Sequence, residues 1–163
     1  MESSQGSHLQ WEDLSVLLLF SELHKAVTAW ASNDAKTLTE EYYKLFETDR
    51  EGLIESDYYL PNSWMHFDGQ DIKGKDDIHK FLRSRPKYAK YTFRKITGIA
   101  IGPSAMSILI MGDEVIGGEP SRKFAQHLYV SRGRIIVDLF NYFEDKNGKK
   151  PKTILDPYNN IYS

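Results

Sequence analysis

The chain has 163 residues, a formal charge of −2 at neutral pH, 40% hydrophobic and 13% aromatic residues, and no cysteine. That length and apolar content specify one domain with a buried core and a modest extension. The near-neutral charge gives no basis for a nucleic-acid surface. The lack of cysteine excludes disulfides, thiolate nucleophiles and cysteine-based zinc sites, and fits a reducing compartment.

Residues 1–10 are rich in Ser and Gly and read as a disordered tail. Residues 11–30 spread Leu14, Val16, Leu17, Leu18, Leu19, Phe20, Leu23, Val27 and Trp30 around most of a helix, leaving Glu12, Asp13, Glu22 and Lys25 as a narrow polar edge. A helix of that kind must bury against something, within the chain or in a dimer. Its apolar run, residues 16–20, is too short for a bilayer, which takes about 20 apolar residues. It also lacks the basic start of a secretory signal, so no membrane partner is expected. Ser32, Asn33 and Asp34 are read as a break and an N-cap. They separate an extra N-terminal helix, 11–31, from a helix over 35–47 that lines up Leu38, Tyr42, Leu45 and Phe46. A short helix is expected over 50–59, ended by Pro61.

Residues 65–68 predict a short strand, and Gly69, Gln70 and Asp71 a turn. After Gly74, residues 75–84 place Ile78, Phe81 and Leu82 at i, i+3 and i+4, one face of a helix. Pro86 closes that helix by forcing the residue before it out of the helical region. Four extended runs follow, over 88–101, 105–116, 122–131 and 134–143, separated by Gly102-Pro103-Ser104, Gly117-Gly118-Glu119-Pro120 and Arg132-Gly133. Helices followed by an antiparallel meander specify an α+β fold. The later strands are apolar on both faces. Helices can cover one face, and a second subunit is the simplest cover for the other. Residues 146–163 read as a polar tail, with Ile154, Leu155, Tyr158, Ile161 and Tyr162 available to dock back.

Phe67-Asp68-Gly69-Gln70, three residues, then Gly74-Lys75-x-x-Ile78 resembles the strand–turn–helix signature of the nuclear transport factor 2-like proteins. Tyr42-Tyr43-Lys44-Leu45-Phe46 with Asp49-Arg50 is similar to the family's first helix and its exit. Arg122-x-Phe124-x-Gln126 and Asp138-Leu139-Phe140-Asn141-Tyr142 are similar to two of its strands. The resemblance implies a domain over 34–145. In it a curved antiparallel sheet is wrapped by about three helices into a cone, and it works as a homodimer or as a heterodimer with a like-folded domain.

The resemblance also implies partner-binding roles for Phe67, Asp68, Glu119, Arg122, Phe124, Gln126, Phe140, Asn141 and Trp30. In the Ran carrier of the family, the residue matching Asp68 belongs to an acidic pocket for a Ran lysine. Here Glu119 keeps an acid in the matching loop, and Gly117 replaces the other one. Alternatively, Asp68 simply opens the turn through Gly69. Trp30 lies near a family tryptophan that binds Phe-Gly repeats of nucleoporins; otherwise it ends the apolar helix as core. Arg122-x-Phe124-x-Gln126 is closer to two other branches, the small subunit of the mRNA export receptor and the Ras-GAP-binding scaffold that takes short Phe motifs. Asn141 stands where these branches have arginine. A neutral amide cannot make that residue's bidentate pair with a carboxylate, which argues against a standard export heterodimer.

Folds of this kind also include isomerases and dehydratases with Asp, His and Tyr inside the cone. Tyr58, His66, Asp68, Tyr91, His127, Tyr129 and Asp138 are the candidates, provided burial lifts a carboxyl toward the working pH. A histidine alone on a strand is more often structural. The five histidines have no ligand spacing, and no phosphate-binding loop or dinucleotide glycine pattern appears, so no metal or cofactor is expected. The function expected is a non-enzymatic dimerising interaction module of nuclear transport or mRNA export, in nucleus and cytoplasm. A ribonucleoprotein scaffold and a small-ligand enzyme are the alternatives.

Overall fold

The computed structural model describes residues 11–143, so the expectations for residues 1–10 and for the tail from 146 lie outside the described residues. The elements are α1 (Trp11–Thr48), α2 (Arg50–Glu55), β1 (Tyr59–Phe67), β2 (Gln70–Lys73), α3 (Lys75–Ser84), β3 (Ala89–Ala100), β4 (Ala105–Ile116), β5 (Arg122–Ser131) and β6 (Arg134–Tyr142). Six strands form one sheet in the order β2-β1-β6-β5-β4-β3. Every pair is antiparallel except β1 with β6. The α+β cone expected from the sequence is what forms.

The concave face of this sheet takes alternate residues of each strand, including Ile108 and Ile110 of β4, Phe124 and Leu128 of β5, and Ile135 and Phe140 of β6, all buried. α1 lies across them with Tyr42, Tyr43 and Phe46, and α3 closes one end with Ile78 and Leu82. Gly98 lets α1 approach β3: a Cβ there would stand 2.3 Å from Ala31 O and 2.6 Å from Ala35 Cβ.

Three local expectations are corrected. The break at Ser32, Asn33 and Asp34 does not form; α1 is continuous. Such residues cost a helix interior only about 0.5 kcal/mol each, and Ala31 and Ala35 on either side are both fully buried. The helix after Arg50 stops at Glu55 rather than near Tyr59, because Asp57 turns left-handed at φ 57° and Tyr59 enters β1. Pro61 then sits inside β1, where the register with β6 shifts between Tyr59 and Trp64, the kind of irregularity that tolerates a missing N–H. Finally, the hairpin turn is Asp68-Gly69, at φ 45° and 91°, with Gln70 and Asp71 already in β2. That is the two-residue Asp-Gly turn whose twist matches paired strands.

The extra N-terminal helix is therefore the first half of α1. It does not bury its apolar residues in the chain: Leu18 and Leu19 are 68% and 70% exposed. The reason is geometric. Gly98, near the end of β3, already lies under Ala31, so no sheet remains beneath the earlier turns. Once fused, Asp13–Thr48 is long and apolar enough by length and composition to cross a membrane, which the short run at 16–20 did not suggest. Glu22, His24 and Lys25 fall in the middle of its apolar segment, and polar groups at that depth are costly.

Candidate functional site

Inside the cone, the side chains form one connected polar chain set in aromatic packing. Tyr43 OH donates to Gln126 Oε1 at 2.5 Å, Gln126 Nε2 to Asp138 Oδ1 at 2.8 Å, and Tyr59 OH to Asp138 Oδ2 at 2.8 Å. Tyr42 OH lies 2.7 Å from Tyr59 OH. Burial pushes the Asp138 carboxyl up to about 6, against the pull of its Gln126 and Tyr59 hydrogen bonds. Burial likewise raises Tyr42, Tyr43 and Tyr59.

Nearer the mouth, Glu114 is buried and saturated. It accepts from Tyr142 OH at 2.6 Å, Tyr91 OH at 2.7 Å and Arg85 Nη2 at 2.9 Å. Burial alone would lower the Arg85 guanidinium, but Tyr142, Tyr91 and Glu114 outweigh it and raise it. The space left among Tyr42, Tyr43, Phe67, Arg85, Asp138 and Phe140 is a cavity of about 20 Å³, room for about one water. Phe67 stacks on Phe140 at 4.5 Å and Phe140 on Phe124 at 4.8 Å, filling the volume an organic ligand would need.

The enzyme candidates are split by the sheet. Asp138 points into the cone and Tyr91 to its mouth. His66, His127 and Tyr129 lie on the outer face, where His66 Nδ1 meets Asp71 Oδ1 at 2.7 Å and His127 Nε2 meets Ser107 Oγ. Burial lowers His127. Tyr58 is half-buried against Tyr42. No histidine joins Asp138, whose oxygens are both already engaged.

The expected partner-binding residues also divide. Phe124, Gln126 and Phe140 are interior, each less than 5% exposed, so an exposed contact role for them is corrected to a packing role. Their inward parity on β5 and β6 puts them under α1. Phe67 belongs to the same stack. Asp68 behaves as the turn residue: its N–H donates to Phe140 O at 2.7 Å and its Oδ1 accepts from Tyr142 N at 3.3 Å. Arg122 packs over the Tyr142 ring at 3.6 Å. Glu119 is exposed in the β4–β5 turn, and Trp30 is exposed on the projecting part of α1. Neither belongs to the stack. Sequence reasoning missed Glu114, although its parity with Ile108 and Ile110 on β4 placed a carboxylate among inward residues. It also missed Arg85 and the tyrosine network.

Asn141 is on the other side of the sheet. Cross-strand registers align it with Ala125 and Met111. The next row is Leu139, His127 and Leu109, and the next Val137, Tyr129 and Ser107. On β1, His66 sits beside Leu139 and Trp64 beside Val137. From β1 to β4 these rows hold no carboxylate, lysine or arginine; charges enter only at their ends, Asp71 and Lys73 on β2 beside His66 and Trp64, and Lys95 on β3 beside Met111. Two buried polar atoms among them have no partner, Asn141 Oδ1 and His66 Nε2.

The geometry thus defines a cone-shaped α+β protein with a tightly packed interior and an outer sheet face whose middle is apolar or neutral, with Ala125 and Asn141 buried and Leu109, His127 and Leu139 half-buried. The family model of the nuclear transport factor 2 (NTF2) domain matches residues 35–143, and the chain belongs to that family. It is 31% identical over 99 residues to nuclear transport factor 2B of Arabidopsis thaliana, covering 59% of this chain and 77% of the relative. Among solved structures it is similar to nuclear transport factor 2 from Cryptosporidium parvum, with TM-score 0.63, 20% identity, and 71% and 97% of the two chains covered. It is also similar to a chain of the yeast deubiquitinase Ubp3 and Bre5 cofactor complex, with TM-score 0.60, 18% identity, and 70% and 97% covered.

Proposed function

We propose that this chain is a non-enzymatic interaction module that pairs with a like-folded domain, its own copy or another, through the outer sheet face, and serves nuclear transport or mRNA export between nucleus and cytoplasm. The observation that carries the reading is that face: apolar and neutral residues across β1, β6, β5 and β4, with charges only at the two flanks, Asp71 and Lys73 on β2 and Lys95 on β3. A face of that kind gains by excluding water against a partner, and the cavity beside Asp138 supports the non-enzymatic reading, with room for about one water and both Asp138 oxygens engaged. Membership of the family and the similarity to a named transport factor support the transport role. The exposed Trp30 is a further partner contact on this reading, open to Phe-Gly repeats or short Phe motifs.

The test is a pull-down of the tagged chain from separate nuclear and cytoplasmic lysates, read by mass spectrometry. Recovery of Ran, a large export receptor or nucleoporins is expected. Recovery of granule scaffold proteins alone, or turnover of an isomerase substrate by the purified chain, would overturn the assignment.

A further inference from the structure

Beyond the sheet face, the chain carries a second apolar surface on the half of α1 that projects from the domain. At 1.5 Å per residue, residues 13–30 extend for about 27 Å. Within them Val16, Phe20, Leu23, Val27 and Trp30 succeed one another at intervals of 4, 3, 4 and 3 residues, the spacing of a coiled-coil seam. Their exposures are 48%, 64%, 59%, 39% and 41%. At about 100° per residue, the seam points roughly a quarter of a turn away from the side of α1 that Ala31, Ala35, Tyr42 and Phe46 bury. The chain's own sheet, which ends beneath Ala31 at Gly98, leaves the seam uncovered.

We propose that this seam pairs with the same seam of a second copy, forming a short two-stranded coiled coil. The chemistry disfavours lipid as the occupant. A helix lying in a bilayer interface needs a basic polar face, but here Lys25 is bonded to Glu22 at 3.3 Å and Asp13 adds another acid. A helix crossing a bilayer would place Glu22, His24 and Lys25 in hydrocarbon. A copy of the chain meets neither obstacle. The positions flanking the seam are Leu17, Leu19, His24 and Ala26, so between Val16 and Trp30 two seams approach without like carboxylates or lysines facing each other, and the next step of the spacing, Asp13, ends the seam. The helix is also pre-formed. Its second half is fixed on the sheet, so pairing does not have to nucleate a segment too short to be helical alone. The proposal uses a different surface from the outer sheet face, and it competes with Phe-motif binding only at Trp30, which closes the seam.

The test is sedimentation equilibrium of the full chain with Leu139→Asp, which removes pairing through the outer sheet face; that chain with native Leu23 is the wild-type reference, and Leu23→Glu and Leu23→Lys are added to it, separately and as an equimolar mixture. Leu23 is solvent-exposed on the projecting helix, so both variants keep the domain fold, checked by circular dichroism. Each variant alone is expected to associate about tenfold or more weakly than wild type, because like charges meet in the central layer. The mixture is expected to regain association, because opposite charges then face each other. Variants that associate as wild type does would overturn the proposal, and so would a mixture no stronger than its components. Flotation of the wild-type chain with phosphatidylcholine–phosphatidylserine vesicles would overturn it in favour of lipid.

Discussion

Asp138→Asn should make the protein less sensitive to pH, with a gain in stability near neutrality. Asp138 is fully buried, and its carboxyl is raised from 3.8 to about 6. The folded state therefore holds a proton that the unfolded chain releases near its ordinary pKa. Stability from this group is complete below about pH 4 and is lost as pH rises through about 6. At about 1.4 kcal/mol per unit, a shift of roughly two units amounts to about 3 kcal/mol by pH 8. An asparagine cannot ionise and so escapes that loss. It can still accept from Tyr59, and Gln126 can turn its amide over to accept from the new Nδ2, leaving Tyr43 OH to accept from Gln126. Urea unfolding of both proteins at steps from pH 4.5 to 8 gives the difference directly. The salt-bridged Glu51, Asp57 and Asp71, all held below the usual carboxylate range by their Arg83, Lys75 and His66 partners, titrate in both proteins and cancel. The variant should equal or fall slightly below wild type at the acid end and exceed it by about 1–3 kcal/mol at pH 8. Two curves that stay parallel across the range would refute the reasoning.

Gly98→Ala should loosen α1 from β3, because its Cβ meets backbone at 2.3 Å. A cost of about 2 kcal/mol or more in urea unfolding is expected, together with faster amide exchange across residues 31–42. Phe124→Asp puts a charge where exposure is zero, between Tyr43 and Phe140, so it should unfold the chain rather than only dissociate it, as loss of near-UV circular dichroism would record. In the Leu23→Glu variant, where seam pairing is silenced, removing residues 1–30 should leave the unfolding midpoint unchanged and reduce binding of an apolar dye, since the removed side chains described are largely exposed; a fall of several degrees in the midpoint would mean that they contribute to the core.

The last four strands were legible almost residue by residue, because Gly, Pro and Arg-Gly turns bound long β-branched and aromatic runs. Gly74 and Pro86 marked the ends of α3 in the same way. Ser32-Asn33-Asp34 misled, because capping residues announce a helix start only where the chain also leaves the helix, and burial of Ala31 and Ala35 keeps it in. Period-2 parity could separate Asp138 and Phe140 from Asn141, but it could not say which face the helices cover. That is why Phe124, Gln126 and Phe140 read as partner contacts and prove to be core. The filled cone was not legible at all: its closure depends on three phenylalanines from β1, β5 and β6 meeting ring on ring, a three-dimensional coincidence with no local pattern.

Pairing through the outer sheet face is tested most directly by the oligomeric mass. Light scattering of the full chain should be compared between Leu23→Glu, which silences the projecting helix, and the same chain with Leu139→Asp added in the middle of the face. With the like-folded partner present as a second copy, Leu23→Glu should weigh twice 18.9 kDa at micromolar concentration, and the double variant should weigh 18.9 kDa while remaining folded. A mass of 18.9 kDa for Leu23→Glu at every concentration, with no gain on adding a like-folded export-receptor domain, would contradict it.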